Sequence, residues 1–484
     1  SYVLFDKGLA PPHVAAGINL NIPIAGPWIR RCGAFFIRRT FKGNVLYGAV
    51  FESYMEYLAS NGTAVEYFVE GGRSRTGKKL KAKPGLLAMS VRSYLRNHKR
   101  SVVFVPVNFA YEKLVEGETY INELSGKPKK SESMMGVLRS IKGLKEHFGE
   151  VHVNFGSPIM LDQLLDKQSP DWRRDELADK QEWVPNVVSK LGQQIMAGIN
   201  QAAHVNAVSL LAMTMLSTPK QTMAESDLIA HLHLYLALLK AVPYSKDITV
   251  TDMSEQEIIA YGEEFGLIQR HSHPMGDIMC VDPHQAILMT YFRNNVVHLF
   301  ALPSFIACCF ISNSTLHKKQ VIHWFKLVYP FLKAELSMHW NTRQLTAVTN
   351  KTLNCLVDEG LIEQQDDRLS MVQSDVMRVT ALSKGVLLSL ERYYLTVVIL
   401  KTKGEGVLSR VELEKLCSQV AERLSMLYEL NSPEFFDKAL FKGFIEMLYD
   451  QSIIWADKKG NSIIDDAGLV LSHQIRRSVH QLVK

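Results

Sequence analysis

The stretch VEYFVEGGRSRTGKKLKAK, residues 65–83, changes from apolar to strongly basic within a few positions. Its first half is rich in the aromatic and β-branched residues that favour a strand. Two glycines then allow a sharp turn, and six Lys or Arg residues follow within eleven positions. We expect Tyr67–Glu70 to end a strand at the carboxyl edge of a sheet, which is where open α/β sheets bind their ligands. The loop therefore predicts a site for a negatively charged group.

The segments on both sides of this loop predict alternating strands and helices. Between Pro11 and Pro158, short runs rich in Val and Phe are separated by helical patterns. The helical patterns cover Val45–Ser60 and Leu86–Asn97, with another near Met134–Phe148. Strands separated by helices of this length are typical of an α/β fold with a largely parallel sheet.

The pattern changes after Ser169–Trp172, where long amphipathic helical patterns follow with almost no alternating strands. We therefore predict an α/β domain over residues 1–200 and a mainly helical region over residues 201–484.

Near the end, SIIWADKKGNSIID predicts a short hairpin with KKGN as its turn. Helices followed by such a hairpin fit a DNA-binding winged-helix unit or a small packing module. The packing module is favoured, because this half lacks the basic stripe that phosphate binding needs.

The charge of the chain is unevenly distributed. Up to Lys130 the chain has 20 Lys and Arg against 9 Asp and Glu, and beyond it 35 against 40. The excess of positive charge therefore lies in the first quarter, which indicates contact with a phosphate, a nucleic acid or an anionic membrane face.

Cysteine spacing and hydropathy place further limits on the protein. The six cysteines form no CxxC pair, which argues against a zinc site or a secreted disulfide framework and favours a reducing, cytosolic setting. The longest apolar run, Val296–Ile311, is short for a bilayer span of about 20 residues. It predicts a buried helix pair broken at Pro303, or alternatively a membrane-dipping element. No segment demands a transmembrane helix.

A nucleotide-binding loop is one interpretation of the basic stretch, because residues 72–79 satisfy G-x-x-x-x-G-K. Lys79, however, occupies the next position, where a Ser or Thr would hold magnesium. Two arginines also crowd a loop that normally binds phosphate through backbone N–H groups. Both features argue against nucleotide hydrolysis.

Two further segments give the basic loop a context. GAFFIRRTFKGN, residues 33–44, places two arginines after another apolar run, and FVPVNFAYE, residues 104–112, follows downstream. Arginine forms bidentate, charge-assisted bonds with phosphate oxygens. Together the three segments resemble the second, third and fourth sequence blocks of the glycerolipid acyltransferases, and most closely those of the bacterial, membrane-associated members. The resemblance covers the whole chain, which corresponds to the C-terminal three-fifths of those members.

The resemblance implies the fold, the reaction and the site. The fold would be a mixed sheet flanked by helices, followed by a mainly helical C-terminal region. The sn-1 hydroxyl of glycerol 3-phosphate would attack the thioester of acyl-CoA or acyl-carrier protein to give lysophosphatidic acid, without a metal or other cofactor. Glu70 would be the catalytic candidate, binding the glycerol hydroxyls, or else a strand-end partner of a neighbouring arginine. The positions that match the acceptor site of the family are Arg38, Arg39, Gly71, Arg73, Ser74, Arg75 and Pro106.

The sequence departs from the family's pattern at the first block. That block is His-x-x-x-x-Asp, whose His acts as the general base and whose Asp orients it. None of the sixteen histidines has an Asp five residues later, and the nearest approach is His273 with Asp277. In the family the block lies just before a segment like SYVLFDKGLAPPH, so we expect the sequence to begin after it. We expect the 484-residue chain to lack acyltransferase activity and to regain it with an upstream His-x-x-x-x-Asp piece.

A cluster of possible metal ligands in the second half is interpreted as a polar turn. Its ligands follow no zinc spacing, and the implied reaction needs no metal, so we predict no metal site there. The residues concerned are His271, His273, Asp277, Cys280, Asp282 and His284.

Two alternatives to this function are open at the level of sequence. Dihydroxyacetone phosphate could replace glycerol 3-phosphate as the acceptor, or the basic quarter could bind nucleic acid, although we expect no nucleic-acid partner. The expected location is the cytoplasmic face of a bacterial inner membrane, as a peripheral protein. Apolar surface and basic residues would hold it there against anionic lipid.

Overall fold

The computed structural model of the chain describes residues 1–23, 25–38, 40–41, 43–72, 74, 76–114, 148–174, 180–311, 313–404, 406–428, 433–456 and 462–464. The predicted helix near Met134–Phe148 and the KKGN turn at residues 458–461 lie outside the described residues, apart from Phe148 itself.

The first part of the chain contains a small parallel sheet. Strand β1 (His13–Gly17) lies between β2 (Ala34–Ile37) and β3 (Val65–Glu66) and is parallel to both. Helices α1 (Tyr2–Asp6) and α2 (Ala25–Arg31) flank the first two strands in sequence. The parallel sheet confirms the α/β prediction for this part of the chain.

Two predicted helices occur at almost the expected positions. Helix α3 spans Val45–Ser60, as predicted, and the side chain of Asn44 accepts a hydrogen bond from the Tyr47 N–H at its start. Helix α4 spans Pro84–Arg96 and begins two residues earlier than predicted. The start is favoured because Pro needs no hydrogen-bond partner in the first turn of a helix.

The predicted strand end at Tyr67–Glu70 is wrong. Strand β3 stops at Glu66, after only two residues paired with β1. The chain then turns, and the N–H of Gly71 donates to the carbonyl of Phe68 at 3.0 Å. The turn prevents further pairing, so the basic loop starts four residues earlier than expected.

The prediction of a largely parallel sheet is wrong for the strands that follow. Strands β4 (Val103–Phe104) and β5 (Val107–Tyr111) pair antiparallel with β7 (Ile159–Met160) and β6 (Val151–Phe155), respectively. Pro106 separates β4 from β5, because proline has no N–H to donate to a sheet. The arrangement is therefore mixed, as the family resemblance implies.

A compact core lies beneath these strands. Helices α5 (Leu161–Gln168) and α6 (Val184–Gln201) enclose it together with α4. Leu87, Val91 and Leu191 are fully or almost fully buried in it. A much smaller cluster of Phe51, Met55 and Leu58 lies under α3.

The rest of the described chain is mainly helical, as predicted, and shares one large hydrophobic core that begins at Ala203. The preceding core ends at Met196, although the domain boundary near residue 200 itself stays a prediction. The helices are α7 (Ala207–Met215), α8 (Glu225–Ala241), α9 (Glu255–Glu264), α10 (Pro283–Val296), α11 (Ala301–Ile311), α12 (Lys318–Leu336), α13 (Leu345–Asp358), α14 (Val376–Lys403), α15 (Arg410–Leu427) and α16 (Lys438–Asp450).

Short strands also occur in this half, where the sequence shows almost no alternating pattern. Strands of two to four residues form small sheets there, and such strands are too short to produce an alternating hydrophobic pattern. They are β8 (His204–Val205), β9 (Thr222–Ala224), β10 (Thr249–Val250), β11 (Gln269–His271), β12 (Ile278–Cys280), β13 (Thr315–His317), β14 (Ile362–Gln365), β15 (Arg368–Met371), β16 (Ile454–Ala456) and β17 (Ser462–Ile464). The predicted C-terminal hairpin is the antiparallel pair β16–β17. Its Ile454 and the α16 residues Phe441 and Leu448 are buried in the large core, which fits the packing-module interpretation.

The apolar run Val296–Ile311 breaks before the predicted position. A short 3-10 turn, Val297–Leu299, ends α10, and α11 begins at Ala301, so Pro303 lies in the first turn of α11. Within the described residues no single helix meets the length and hydropathy that a bilayer crossing requires. The two segments Pro283–Leu299 and Ala301–Ile311 meet that requirement only as a pair, which is bent by 91°.

Candidate active site

The second and third sequence blocks meet at one edge of the parallel sheet. Strand β2 ends at Ile37 and is followed by Arg38, while β3 ends at Glu66 and is followed by the basic loop. Both strands run parallel to β1, so their carboxyl ends lie at the same edge of the sheet. Two basic segments that are about 30 residues apart in sequence thus both follow strands that end at this edge.

Two hydrogen bonds close the base of the basic loop. The N–H of Lys83 donates to the carbonyl of Val69 at 2.8 Å, and the N–H of Leu80 donates to Glu70 Oε2 at 2.7 Å. Gly71 has a φ of +58°, and a Cβ at this position would come within 2.9 Å of Lys83 Cγ. Glycine is therefore needed at the turn, because other residues strain at positive φ and the added carbon would press on Lys83.

Glu70 and Lys79 interact across this loop. Burial raises the pKa of the Glu70 carboxyl, although the Leu80 N–H and the Lys79 ammonium offset part of the rise. Burial lowers the pKa of Lys79 to about 8, against the attraction of Glu70. The carboxyl is thus held by the backbone of its own loop, a role that neither sequence alternative anticipated.

The middle of the loop is packed inward. The Ser74 hydroxyl donates to the Lys78 carbonyl, and a Cβ added at Gly77 would lie 2.1 Å from the carbonyl oxygen of Tyr291 in α10. The Lys78 side chain is buried, and its ammonium lies 2.9 Å from Glu335 in α12. Lys78 was missed as a functional candidate, because its partner is 257 residues away and no local motif marks it.

Arg38 and Pro106 are the other predicted site residues that the structure describes, and they contact residues outside the basic loop. The Arg38 N–H donates to the Tyr47 hydroxyl at 3.2 Å, and the Arg38 guanidinium carbon lies 4.7 Å from the centre of the Tyr47 ring. The Pro106 carbonyl accepts from the Gly156 N–H at 2.8 Å, and its ring packs so closely on Gly198 that a Cβ there would approach to 2.6 Å. Pro106 therefore joins the fourth block to α6. Three predicted positions lie outside the described residues: Arg39, Arg73 and Arg75.

Glu112, at the end of the fourth block, is a second buried link to the helical region. The hydroxyl of Tyr261 in α9 donates to Glu112 Oε2 at 2.5 Å, and the Glu150 N–H donates to the same oxygen at 2.7 Å. The signal for this residue in the sequence is its position directly after an apolar strand. A glutamate is rarely buried unless it is paired, so a glutamate at such a position points to a buried partner.

Histidines do not complete the site within the described chain. His13 begins β1 and therefore lies at the opposite edge of the parallel sheet from Arg38. His152 and His204 stack with ring centres 3.6 Å apart, and burial, followed by the neighbouring His152, lowers the pKa of His204 to about 4. His13 is therefore not placed to act as a general base beside Arg38.

The predicted polar turn within the His271–His284 segment is the connection of a β-hairpin. Residues 272–277 connect β11 and β12, and the side chain of Asp282 caps α10. Asp277 bonds to Arg270 at 3.0 Å, and this bond holds the pKa of Asp277 below its usual value. Among the described residues no group of three or more His, Cys, Asp or Glu side chains is placed to hold a metal ion.

The chain matches two models of protein families. Residues 120–457 match the model described as glycerol-3-phosphate acyltransferase C-terminal region, and residues 1–110 match the model described as acyltransferase. The two matches together span both the sheet edge with its basic loop and most of the helical region.

Bacterial relatives are similar to the chain over its whole length. It is 43% identical over 500 residues to a glycerol-3-phosphate acyltransferase of Xanthomonas axonopodis pv. citri, covering 100% of this chain and 56% of that protein. It is 43% identical over 496 residues to one of Pseudomonas aeruginosa, covering 100% of this chain and 60% of that protein. For one of Xylella fastidiosa the identity is 42% over 500 residues, covering 100% and 58%. The chain spans less than two thirds of the length of these relatives.

Proposed function

The chain belongs to the glycerol-3-phosphate acyltransferase family, as its sequence blocks predicted, and we propose that it forms the acceptor site for acyl transfer to glycerol 3-phosphate. The observation that supports this proposal is that β2 and β3, which precede the two arginine-containing segments, both end at the same edge of the parallel sheet. A small dianion favours such a place, because arginine side chains can bind its phosphate oxygens in pairs.

The proposed reaction transfers an acyl group from sulfur to oxygen. The sn-1 hydroxyl oxygen bonds to the thioester carbonyl carbon, the carbon–sulfur bond breaks, and the thiol leaves with the proton of the hydroxyl. Acyl-CoA or acyl-carrier protein would supply the acyl group, with no other cofactor. Arg39, Arg73 and Arg75 would bind the phosphate and Glu70 would face the glycerol hydroxyls, while the proton acceptor is not assigned to a residue of this sequence.

We also propose that the protein lies on the cytoplasmic face of an anionic inner membrane. Several large apolar side chains of the first region are strongly exposed, among them Trp28 at 71% and Val45 at 89%. Arg30 and Arg31 are exposed on the same short helix as Trp28. Apolar and basic side chains on one surface favour binding to anionic lipid, at about 1 kcal/mol for each basic residue near the membrane.

Binding of the acceptor tests the phosphate role without requiring turnover. Arg39→Ala and Arg73→Ala should each weaken glycerol 3-phosphate binding about tenfold to a hundredfold, since a charge-assisted hydrogen bond contributes about 1.5–3 kcal/mol. Isothermal titration calorimetry measures the Kd. Arg31→Ala is the matched control, because Arg31 is an exposed arginine outside both sequence blocks.

Three outcomes of this titration would contradict the proposal. Equal affinity in the wild type and both arginine variants would remove the phosphate role. Tighter binding of dihydroxyacetone phosphate than of glycerol 3-phosphate would favour the other acceptor. Salt-dependent binding of duplex DNA, without binding of either small phosphate, would indicate a nucleic-acid partner instead.

A further inference from the structure

Five charged side chains form a buried network between the basic loop and the helical region. Glu335 Oε1 accepts from Lys78 at 2.9 Å and from Arg392 at 2.6 Å, and its other oxygen accepts from the Tyr393 hydroxyl at 2.6 Å. Glu434 bonds to Arg293 and lies 3.9 Å from the Lys78 ammonium. The side chains of Lys78, Glu335, Glu434 and Arg392 are all at most 9% exposed.

The two carboxyls of the network are held in their charged form. Burial alone would raise the pKa of both carboxyls, but Arg392 and Lys78 hold the pKa of Glu335 well below its usual value. In the same way Lys78 and Arg293 lower the pKa of Glu434 to about 2. Glu335 and Glu434 are therefore charged at neutral pH and pair with Lys78, Arg293 and Arg392.

Uncharged contacts bind the same segment of the loop to α10. The amide of Asn294 donates both to the carbonyl of Thr76 at 2.7 Å and to Glu434 at 2.6 Å. Gly77 packs directly against the backbone of Tyr291. The residues that follow Arg75 in sequence are thus held by α10, α12 and the Pro433–Phe436 turn, and Arg392 of α14 bonds to the same Glu335.

We propose that Lys78, with its partners Glu335 and Glu434, is a positioning residue for the acceptor site, so that the helical region sets the affinity for a small phosphate monoester. The inference rests on the proposed function, because it assigns the arginines before Lys78 to the phosphate. Lys78 itself does not touch the acceptor, since its ammonium is used by the two glutamates. Its effect is to fix the backbone of the loop residues that follow the arginines in sequence, from Thr76 onward.

Stability alone is a weak explanation of this arrangement. Removing charges from water costs free energy, and a buried ion pair is often no more stabilising than apolar residues of the same size. Hydrogen bonds and ion pairs do fix geometry, because their partners must lie at set distances and angles. A network that joins one loop to three helices is therefore suited to placing that loop.

The test compares Lys78→Met and Glu335→Gln with a control that destabilises the same region. Leu232→Ala truncates a fully buried side chain on α8, which carries none of the five network residues. The full chain is used, and calorimetry measures the Kd for glycerol 3-phosphate. Amide hydrogen exchange of residues 76–83 reports directly on how firmly the loop is held.

We expect Lys78→Met and Glu335→Gln each to raise the Kd about tenfold to a hundredfold, the effect of losing one charge-assisted phosphate contact, and to speed exchange in the loop. The double variant should bind only slightly more weakly than either single variant, because both remove the same interaction. Leu232→Ala should leave the Kd and the loop exchange unchanged. If Lys78→Met does not fold, Asn294→Ala removes the uncharged contact to Thr76 and should have the same direction of effect.

The outcomes separate this inference from the proposed function. If all network variants bound glycerol 3-phosphate as tightly as the wild type and their loop exchange were unchanged, the positioning role would be overturned. The proposed function would then remain intact. An equal loss of affinity in Leu232→Ala would also overturn it, since general destabilisation would then explain the effect. No binding of glycerol 3-phosphate by the wild-type chain would overturn the proposed function and the inference together.

Discussion

The helix Ala301–Ile311 buries every side chain except that of Ile311, whereas α2 and α3 of the first region expose Trp28, Val45 and Leu46 to solvent. The helical region thus has one continuous core, and the first region has two smaller clusters. The predicted acceptor loop belongs to the loosely packed region in sequence but is anchored in the densely packed one. Segments that bind ligands are commonly of low local stability, and such an anchor gives the loop a fixed position.

The largest expected effect comes from truncating matched phenylalanines in the two regions. Phe305 is fully buried in the large core, and Phe51 is 6% exposed in the small cluster under α3. Phe305→Ala should lower the free energy of unfolding by about 3–5 kcal/mol, because the surrounding core cannot collapse into the cavity. Phe51→Ala should cost less. Urea unfolding measures both, and an equal loss would show that the small cluster is as rigidly packed as the large core.

A smaller effect, of opposite sign, is expected at an unpaired glutamate. Burial raises the pKa of Glu391 to about 8, because its neighbours Lys384 and Arg392 offset only part of the penalty. As the pH rises from the usual Glu value of 4.5 to about 8, the unfolded chain loses this proton and the folded chain retains it. Stability therefore falls over that window, and Glu391→Gln should raise the free energy of unfolding near pH 7 by about 1–3 kcal/mol.

Glu434 is the matched counterpart, since its pKa is lowered. It contributes stability above pH 4.5 that is lost as the pH falls towards about 2, so Glu434→Gln should destabilise the chain at neutral pH. Urea unfolding at several pH values between about 5 and 8 separates the two variants. If both variants changed the free energy of unfolding in the same direction, the ion pairs of Glu434 with Lys78 and Arg293 would not set it apart from Glu391.

The smallest effect on stability is expected at the exposed surface. Trp28→Ser should change the free energy of unfolding by no more than about 0.5 kcal/mol, because the indole is already largely in water. It should nevertheless weaken sedimentation with phosphatidylglycerol vesicles, if the first region is the one that meets the membrane. Met275→Ser, at a residue 91% exposed on the β11–β12 hairpin, is the control in the helical region and should leave sedimentation unchanged. A larger loss with Met275→Ser would place the membrane contact on the other region.

A wash of native membranes would extend this comparison to the whole protein. Partial release by high salt followed by full release by detergent fits basic and apolar contacts with lipid. Retention after carbonate extraction would instead indicate that a segment such as Val296–Ile311 enters the bilayer.

Several features could be predicted from the sequence because they depend on neighbouring residues. The bounds of α3 and the turn at Gly71 follow from hydrophobic spacing, capping and backbone freedom over a few positions. The family also follows from short blocks of sequence. The lengths of the strands did not, since pairing with a distant strand decides where each one ends: β3 stops at Glu66 because only two residues pair with β1.

The sequence by itself thus determined the helices α3 and α4, the mainly helical second half, the basic composition of the loop and the resemblance of its arginines to a phosphate site. Only the tertiary structure decided that Lys78 turns away from its basic neighbours towards Glu335 and Glu434. The physical reason is that a helix depends mainly on contacts within a few residues, while strand pairing and the partner of a buried charge depend on which distant segments the fold brings together. Once water is excluded, that charge must be paired, and the pairing connects the loop to the helical region.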